Sequence, residues 1–106
     1  MPNNCIFCKI ANKEIPANIV FENEYILAFK DLHPKAPTHL LVIPKKHFEN
    51  LNDLNEEILM TKLISGIKEI TQTNNISDYK LQVNNGKNAG QEVFHLHFHI
   101  LSNQKI

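Results

Sequence analysis

The chain has 106 residues, room for one modest core, so a single domain spanning 1–106 is expected and two separate cores are excluded. Eleven basic and eleven acidic residues cancel, so no whole-chain field draws it to nucleic acid or to a membrane. Every basic residue is lysine, so any phosphate must be held without the guanidinium fork, by backbone N–H groups, histidines, amides or lysine point charges.

The start, MPNNCIFCKI, has no basic stretch followed by an apolar one and does not read as a signal peptide. No apolar run approaches the roughly 18 residues of a bilayer span, and a cytoplasmic protein is expected. Residues 5–12 (CIFCKIAN) read as a short helical turn. Asn18 to Glu22 and Tyr25 to Lys30 read as two strands of a hairpin, joined through the polar Glu22, Asn23 and Glu24. Asp31 to Thr38, with two prolines, is a loop, and His39 to Ile43 is an apolar strand ended by Pro44.

Asp53 to Asn74 carries the helical period, with Leu54, Ile58, Leu63, Ile67 and Ile70 on the expected buried face. Asp53 and Glu56 resemble a capping box at its start, and Asn74 and Asn75 suit its end. Tyr79 to Asn84 alternates as a strand, Asn85 to Gly90 is a turn, and Val93 to Leu101 is the closing strand. The expected fold is α+β: a five-stranded, mainly antiparallel sheet with one long helix and a short N-terminal helix.

Six histidines fall in two stretches, His33, His39 and His47, then His95, His97 and His99. In FHLHFHIL the last three alternate with Leu96, Phe98 and Ile100. A strand's period places the imidazoles on one side, about 6.6–6.8 Å apart, and the hydrophobes in the core. That row is too long for all three to hold one ion, although one or two can serve as ligands. Cys5 and Cys8 stand as C-x-x-C, which in a reducing compartment leaves metal binding, redox chemistry or burial.

HLHFHIL fills the pattern His-φ-His-φ-His-φ-φ, φ being hydrophobic. With CIFCKI, KEIPA, LAFKDLHPKAPTHLLVIPKKH and VNNGKNAGQEVFH in order before it, the chain resembles the histidine triad family over nearly its whole length, closest to the Hint-like branch. The resemblance implies a homodimeric hydrolase or transferase cleaving purine nucleoside phosphoramidates or related adenylates. It implies His97 as nucleophile, forming a nucleotidyl-histidine, His99 as donor to a phosphate oxygen, and His39 near the leaving group. It further implies Asp31 on the ribose hydroxyls, an apolar base slot of Phe7, Ile10, Ile15, Phe29 and Leu32, and phosphate or leaving-group contacts from Asn84, Gly90, Gln91, Glu92 and Val93. Structural zinc on Cys5, Cys8, His47 and His95 follows from relatives that begin CIFCKI; no organic cofactor is implied.

Glu92 stands where eukaryotic Hint-like proteins have a serine, and the chain stops five residues after Leu101. A zinc-stabilised nucleotide-binding or partner-binding module with little turnover is therefore the alternative. His33 matches no catalytic role and is expected at the surface.

Overall fold

The structure, a computed structural model, describes residues 4–106; the first three residues of the start read above lie outside it. The elements are α1 (Ile6–Ala11), β1 (Ile19–Glu22), β2 (Ile26–Lys30), β3 (Thr38–Pro44), α2 (Glu57–Thr73), β4 (Lys80–Gln82) and β5 (Phe98–Ser102), with short 3-10 turns at Leu51–Asp53 and Lys87–Ala89. The strands form one five-stranded sheet in the order β1-β2-β3-β5-β4, every pair antiparallel. Among the described residues no helix is long and apolar enough to cross a membrane.

Alternation sorts the side chains of the central strands into two layers. Ile26 and Ala28 of β2, Leu40 and Val42 of β3, and Phe98 and Ile100 of β5 join Leu59, Leu63, Ile67 and Ile70 of α2 in one core. Leu27, Phe29, Leu41 and Ile43 point the other way and pack with Phe7, Cys8 and Ile10 of α1 in a thinner layer, so one sheet shared by both faces divides a single interior rather than two separate cores. Both faces of β2 and β3 are thus covered, which is why these strands read as nearly unbroken apolar runs. On β5 the α1-side position beside Leu41 goes to His99 instead, and the site grows there.

The hairpin forms as expected. Asn23 closes it, its side-chain oxygen accepting the N–H groups of Tyr25 (2.8 Å) and Ile26 (2.9 Å). β3 is longer than expected by Thr38 and Pro44, whereas β4 keeps only Lys80–Gln82 of the Tyr79–Asn84 segment.

Three sequence expectations need correction. The long helix starts at Glu57 rather than Asp53, because Asp53 ends a separate 3-10 turn capped by the side chain of Asn50. The Asp53–Glu56 capping box is therefore absent, and Glu56 precedes the helix with no side-chain cap bond. Ile58 faces outward at 67% exposure while Leu59 is buried, since Leu54 enters the core from extended backbone and does not share the helical phase. The helix end agrees: Asn75 takes the left-handed conformation (φ 58°), and Ile76 donates its N–H to Thr71 O at 2.8 Å in a Schellman closure.

The third correction concerns the closing strand, which is regular only from Phe98 and not from Val93. Val42–Phe98 is the last registered pair between β3 and β5. Beyond it stands Pro44, which has no N–H to offer a ladder, and Leu96 instead donates to Phe48 O at 2.7 Å. His95 and His97 therefore lie in the irregular approach to β5, and only His99 is on the strand.

Candidate functional site

Register assembles the first half of the site. On the α1 side of the sheet, Gln82 (β4), His99 (β5), Leu41 (β3) and Phe29 (β2) form one cross-strand row. The neighbouring row places Leu101 beside His39, so His39 lies diagonally across from His99 although 60 residues separate them. His39 Nε2 and His99 Nδ1 are 2.9 Å apart.

The backbone assigns a tautomer to each imidazole here, because an N–H can only donate and a carbonyl can only accept. Lys35 N–H donates to His39 Nδ1 at 3.1 Å, so His39 carries its proton on Nε2 and donates it to His99 Nδ1. His99 then carries its own proton on Nε2. His97 donates Nδ1–H to the carbonyl of His95 at 2.8 Å, leaving its Nε2 with a bare lone pair. His95 donates Nε2–H to the carbonyl of Pro44 at 2.8 Å, which turns its Nδ1 lone pair toward the cysteines.

These imidazoles are neutral. Burial lowers the pKa of His97 and His39 and holds His99 down at about 4, with His97 and His39 adding to the effect on His99. Phe7 packs edge-on against His97 (ring centroids 5.1 Å apart) and against Phe29 (5.5 Å). Asp31 closes the far side: Oδ1 takes the N–H of His33 at 2.8 Å, and Oδ2 stands 3.6 Å from His39 Nε2.

These groups open into a cavity of about 600 Å³, a size suited to a small organic ligand. His39, His97 and His99 line it with Asp31 and Phe7, and Asn84, Gly90, Glu92 and Val93 supply its loop wall. Other expected site residues do not line the cavity. Ile10 and Phe29 are buried in the layer under α1, with Ile15 packed against it, and Leu32 points away at 88% exposure. Gln91 is buried and faces into its own loop. Its amide donates to Glu49 O (2.6 Å) and Val93 O (3.0 Å), and its oxygen accepts from Gly86 N–H (2.7 Å). That clamp shapes the 84–93 loop, aided by left-handed Gly90 and by positive φ at Gly86.

A second cluster lies behind the first. Cys5 caps α1, its sulfur accepting Cys8 N–H at 3.4 Å, so the C-x-x-C spacing gathers both thiols at one helix end. Cys8 Sγ is 3.3 Å from His47 Nδ1 and 3.5 Å from His95 Nδ1; Cys5 Sγ is 3.4 Å from His95 Nδ1, and the two imidazole nitrogens are 3.2 Å apart. All four donor atoms lie within 4.8 Å of one another, close enough to hold a metal ion. Sulfur at about 2.3 Å and nitrogen at about 2.0–2.1 Å from a tetrahedral ion would be separated by about 3.5 Å (N···S) and about 3.3 Å (N···N), so the cluster fits. Without a cation, burial and the neighbouring Cys5 push the Cys8 thiol up to about 11.

A family model described as HIT domain matches residues 12–106. The chain belongs to the HIT family. Protein HitA of Neisseria gonorrhoeae is 49% identical over 102 residues, covering 93% of this chain and 95% of that one. Among solved structures, a HIT family hydrolase from Legionella pneumophila superposes with a TM-score of 0.90 at 46% identity, covering 96% of this chain and 95% of that one. A histidine triad nucleotide-binding protein from Candida albicans gives 0.86 at 32% identity, with 92% and 73% covered.

Several residues of this HIT protein's site escaped the sequence reading. Lys35 acts through its backbone N–H and Pro44 through its carbonyl, so no side-chain motif signals either. Lys80 and Gln82 line the cavity from β4, where the two-residue period groups them but only the register brings Gln82 opposite His99 and Lys80 opposite Leu101. His33 is exposed, as expected, and contributes its N–H to Asp31.

The pKa of His99 generates a pH prediction. Folded at about 4 against about 6.5 unfolded, His99 binds protons more readily in the unfolded chain. Its contribution to stability is complete above roughly pH 6.5 and is lost as pH falls through about 4. The denaturant midpoint should fall across that window, and less so in His99→Asn. An NMR titration giving His99 a value at or above its unfolded one would contradict the assignment.

Proposed function

We propose that this HIT protein is a nucleotidyl hydrolase or transferase of purine nucleoside phosphoramidates or related adenylates. The observation that carries the reading is the pair of opposite tautomers on neighbouring imidazoles. His97 offers a bare Nε2, while His99, whose ring centroid is 5.0 Å away, offers an Nε2–H. One suits attack on phosphorus and the other suits donation to a phosphate oxygen.

In the proposed reaction His97 Nε2 gives its lone pair to the α-phosphorus, and the bond from phosphorus to the leaving nitrogen breaks. The leaving amine departs with that electron pair and takes up a proton from solvent. Water then attacks the nucleotidyl-histidine, giving one proton back to solvent as the P–N bond breaks, the lone pair returns to Nε2 and a nucleoside monophosphate is released. The Nδ1–H bond to the His95 carbonyl stabilises the positive charge on His97 while phosphorus is attached. His99 and His39 form a short donor chain anchored on Lys35 N–H, and Asp31, which lines the same cavity, would take the ribose hydroxyls. Glu92 offers an acceptor to an amine leaving group, where a serine would have offered a hydroxyl.

His97→Ala should lower kcat/KM for a fluorogenic adenosine phosphoramidate by at least about a thousandfold while AMP binding persists. Wild-type protein that binds AMP but shows no turnover would favour the binding-module alternative instead.

The four-donor cluster is proposed to hold structural zinc, a role its closed two-cysteine, two-histidine set fits. The ion would keep both thiols deprotonated and tie the N-terminus and the Pro44–His47 bend to the segment leading into His97. Metal analysis of freshly purified protein should give about one zinc per chain, lost in Cys5→Ser together with thermal stability. Metal-free wild type with unchanged melting would refute it.

The protein is further proposed to be a cytoplasmic homodimer. Ile58 and Ile64 on the outer side of α2 and Leu81 on the edge strand β4 are exposed hydrophobes that a second copy would cover. Sedimentation should give twice the chain mass for wild type and a shift toward monomer in Ile64→Asp.

A further inference from the structure

We infer that Asp31, His39 and His99 form a second metal site, which takes a divalent transition-metal ion when no nucleotide fills the cavity. The three side chains place one carboxylate oxygen and two imidazole nitrogens within 4.8 Å of one another, apart from the cysteine cluster. His39 Nε2 and His99 Nδ1 are 2.9 Å apart, and Asp31 Oδ2 is 3.6 Å from His39 Nε2. Two nitrogens bound at about 2.1 Å stand about 3.0 Å apart on an octahedral edge and about 3.4 Å apart on a tetrahedral one. The observed spacing therefore matches two ligands of one ion, and each ring must turn so that a lone pair now lying along the line between the two nitrogens meets the ion.

The chemistry of the donors selects the ion. Two imidazoles with one carboxylate suit Co2+, Ni2+ and Zn2+, whereas Mg2+ and Ca2+ prefer oxygen ligands throughout. Oδ1 of Asp31 is anchored on His33 N–H, which leaves Oδ2 directed at the pair. The cavity side is open, and water can complete the coordination.

Binding has an identifiable cost. His39 must move its proton from Nε2 to Nδ1, where it would oppose Lys35 N–H and break the 3.1 Å bond between them. Lys35 is exposed in its loop, so its N–H can turn to water. The His39–His99 pair thus has two alternative states, a hydrogen bond or a chelate, and the ion is held more weakly than at the four-donor cluster. The bound ion would occupy Asp31 and block the phosphate donors, so it would exclude nucleotide. That exclusion rests on the proposed nucleotide reading; the ion site itself does not.

The test is a Co2+ titration of zinc-loaded protein followed by absorption and calorimetry. Wild type should take a further equivalent showing weak d–d bands without the sulfur-to-cobalt charge transfer of a thiolate site. His39→Gln and Asp31→Asn should each weaken that equivalent by at least about tenfold while retaining the zinc. No further equivalent at millimolar Co2+, or one that both substitutions leave unchanged, would overturn the site. AMP should raise the apparent Kd for Co2+. If AMP binds but leaves the ion in place, the overlap at Asp31 is overturned; if AMP does not bind at all, the nucleotide reading fails and the ion site stands.

Discussion

The hydrogen bond from His95 Nε2–H to the carbonyl of Pro44 is the contact on which the site depends. It joins a fully buried imidazole to the end of β3, at a proline that has no N–H to extend the ladder. Once His95 has spent its one proton there, its other nitrogen can only accept, and it faces two sulfurs and a second imidazole. The chain must bend around that ring to reach β5. The bend leaves the His95 carbonyl free to take the Nδ1–H of His97, which exposes the lone pair on the opposite nitrogen. Two successive backbone oxygens, of Pro44 and of His95, thus set the protonation of two imidazoles in series.

The sheet supplies the frame for this chain of contacts. Its central strands are covered on both faces, by α2 on one and by α1 with the N-terminal segment on the other. A closely packed interior resists displacement, so the positions of His39 and His99 on neighbouring strands are held to the register. The loop wall has no such ladder. Gln91 takes its place, a buried amide whose three bonds tie together Gly86, Glu49 and Val93. Glu49 lies two residues from His47 and Val93 two from His95, so the clamp and the four-donor cluster brace the same two segments from different sides.

Much of this was legible in the sequence. The apolar run HLLVI marked β3, alternation in FHLHFHIL placed Leu96, Phe98 and Ile100 in the core, and the polar run from Glu22 marked the hairpin. The resemblance to relatives that begin CIFCKI pointed to the four donors that the fold brings together. Errors arose where a local pattern continued past the point at which tertiary contacts ended it. The two-residue period runs from His95 through Leu101, yet the ladder stops at Phe98 because Pro44 and the buried His95 bend the chain. Leu54 and Ile58 fit a helical stripe, yet Leu54 reaches the core from a separate turn and the helical phase belongs to Leu59.

By itself, the sequence determined which side chains face together along each strand, since that follows from a backbone period that neighbours do not alter. It also determined the donor inventory: six imidazoles, two thiols and no guanidinium. Only the tertiary structure decided which nitrogen of each imidazole carries its proton. That depends on whether a carbonyl or an N–H from a distant residue lies opposite, and the partners are Pro44 for His95, Lys35 for His39, and His39 for His99. The division of the three histidines between a four-donor cluster and an open cavity follows from those partners, because a nitrogen already holding a proton cannot also lend its lone pair.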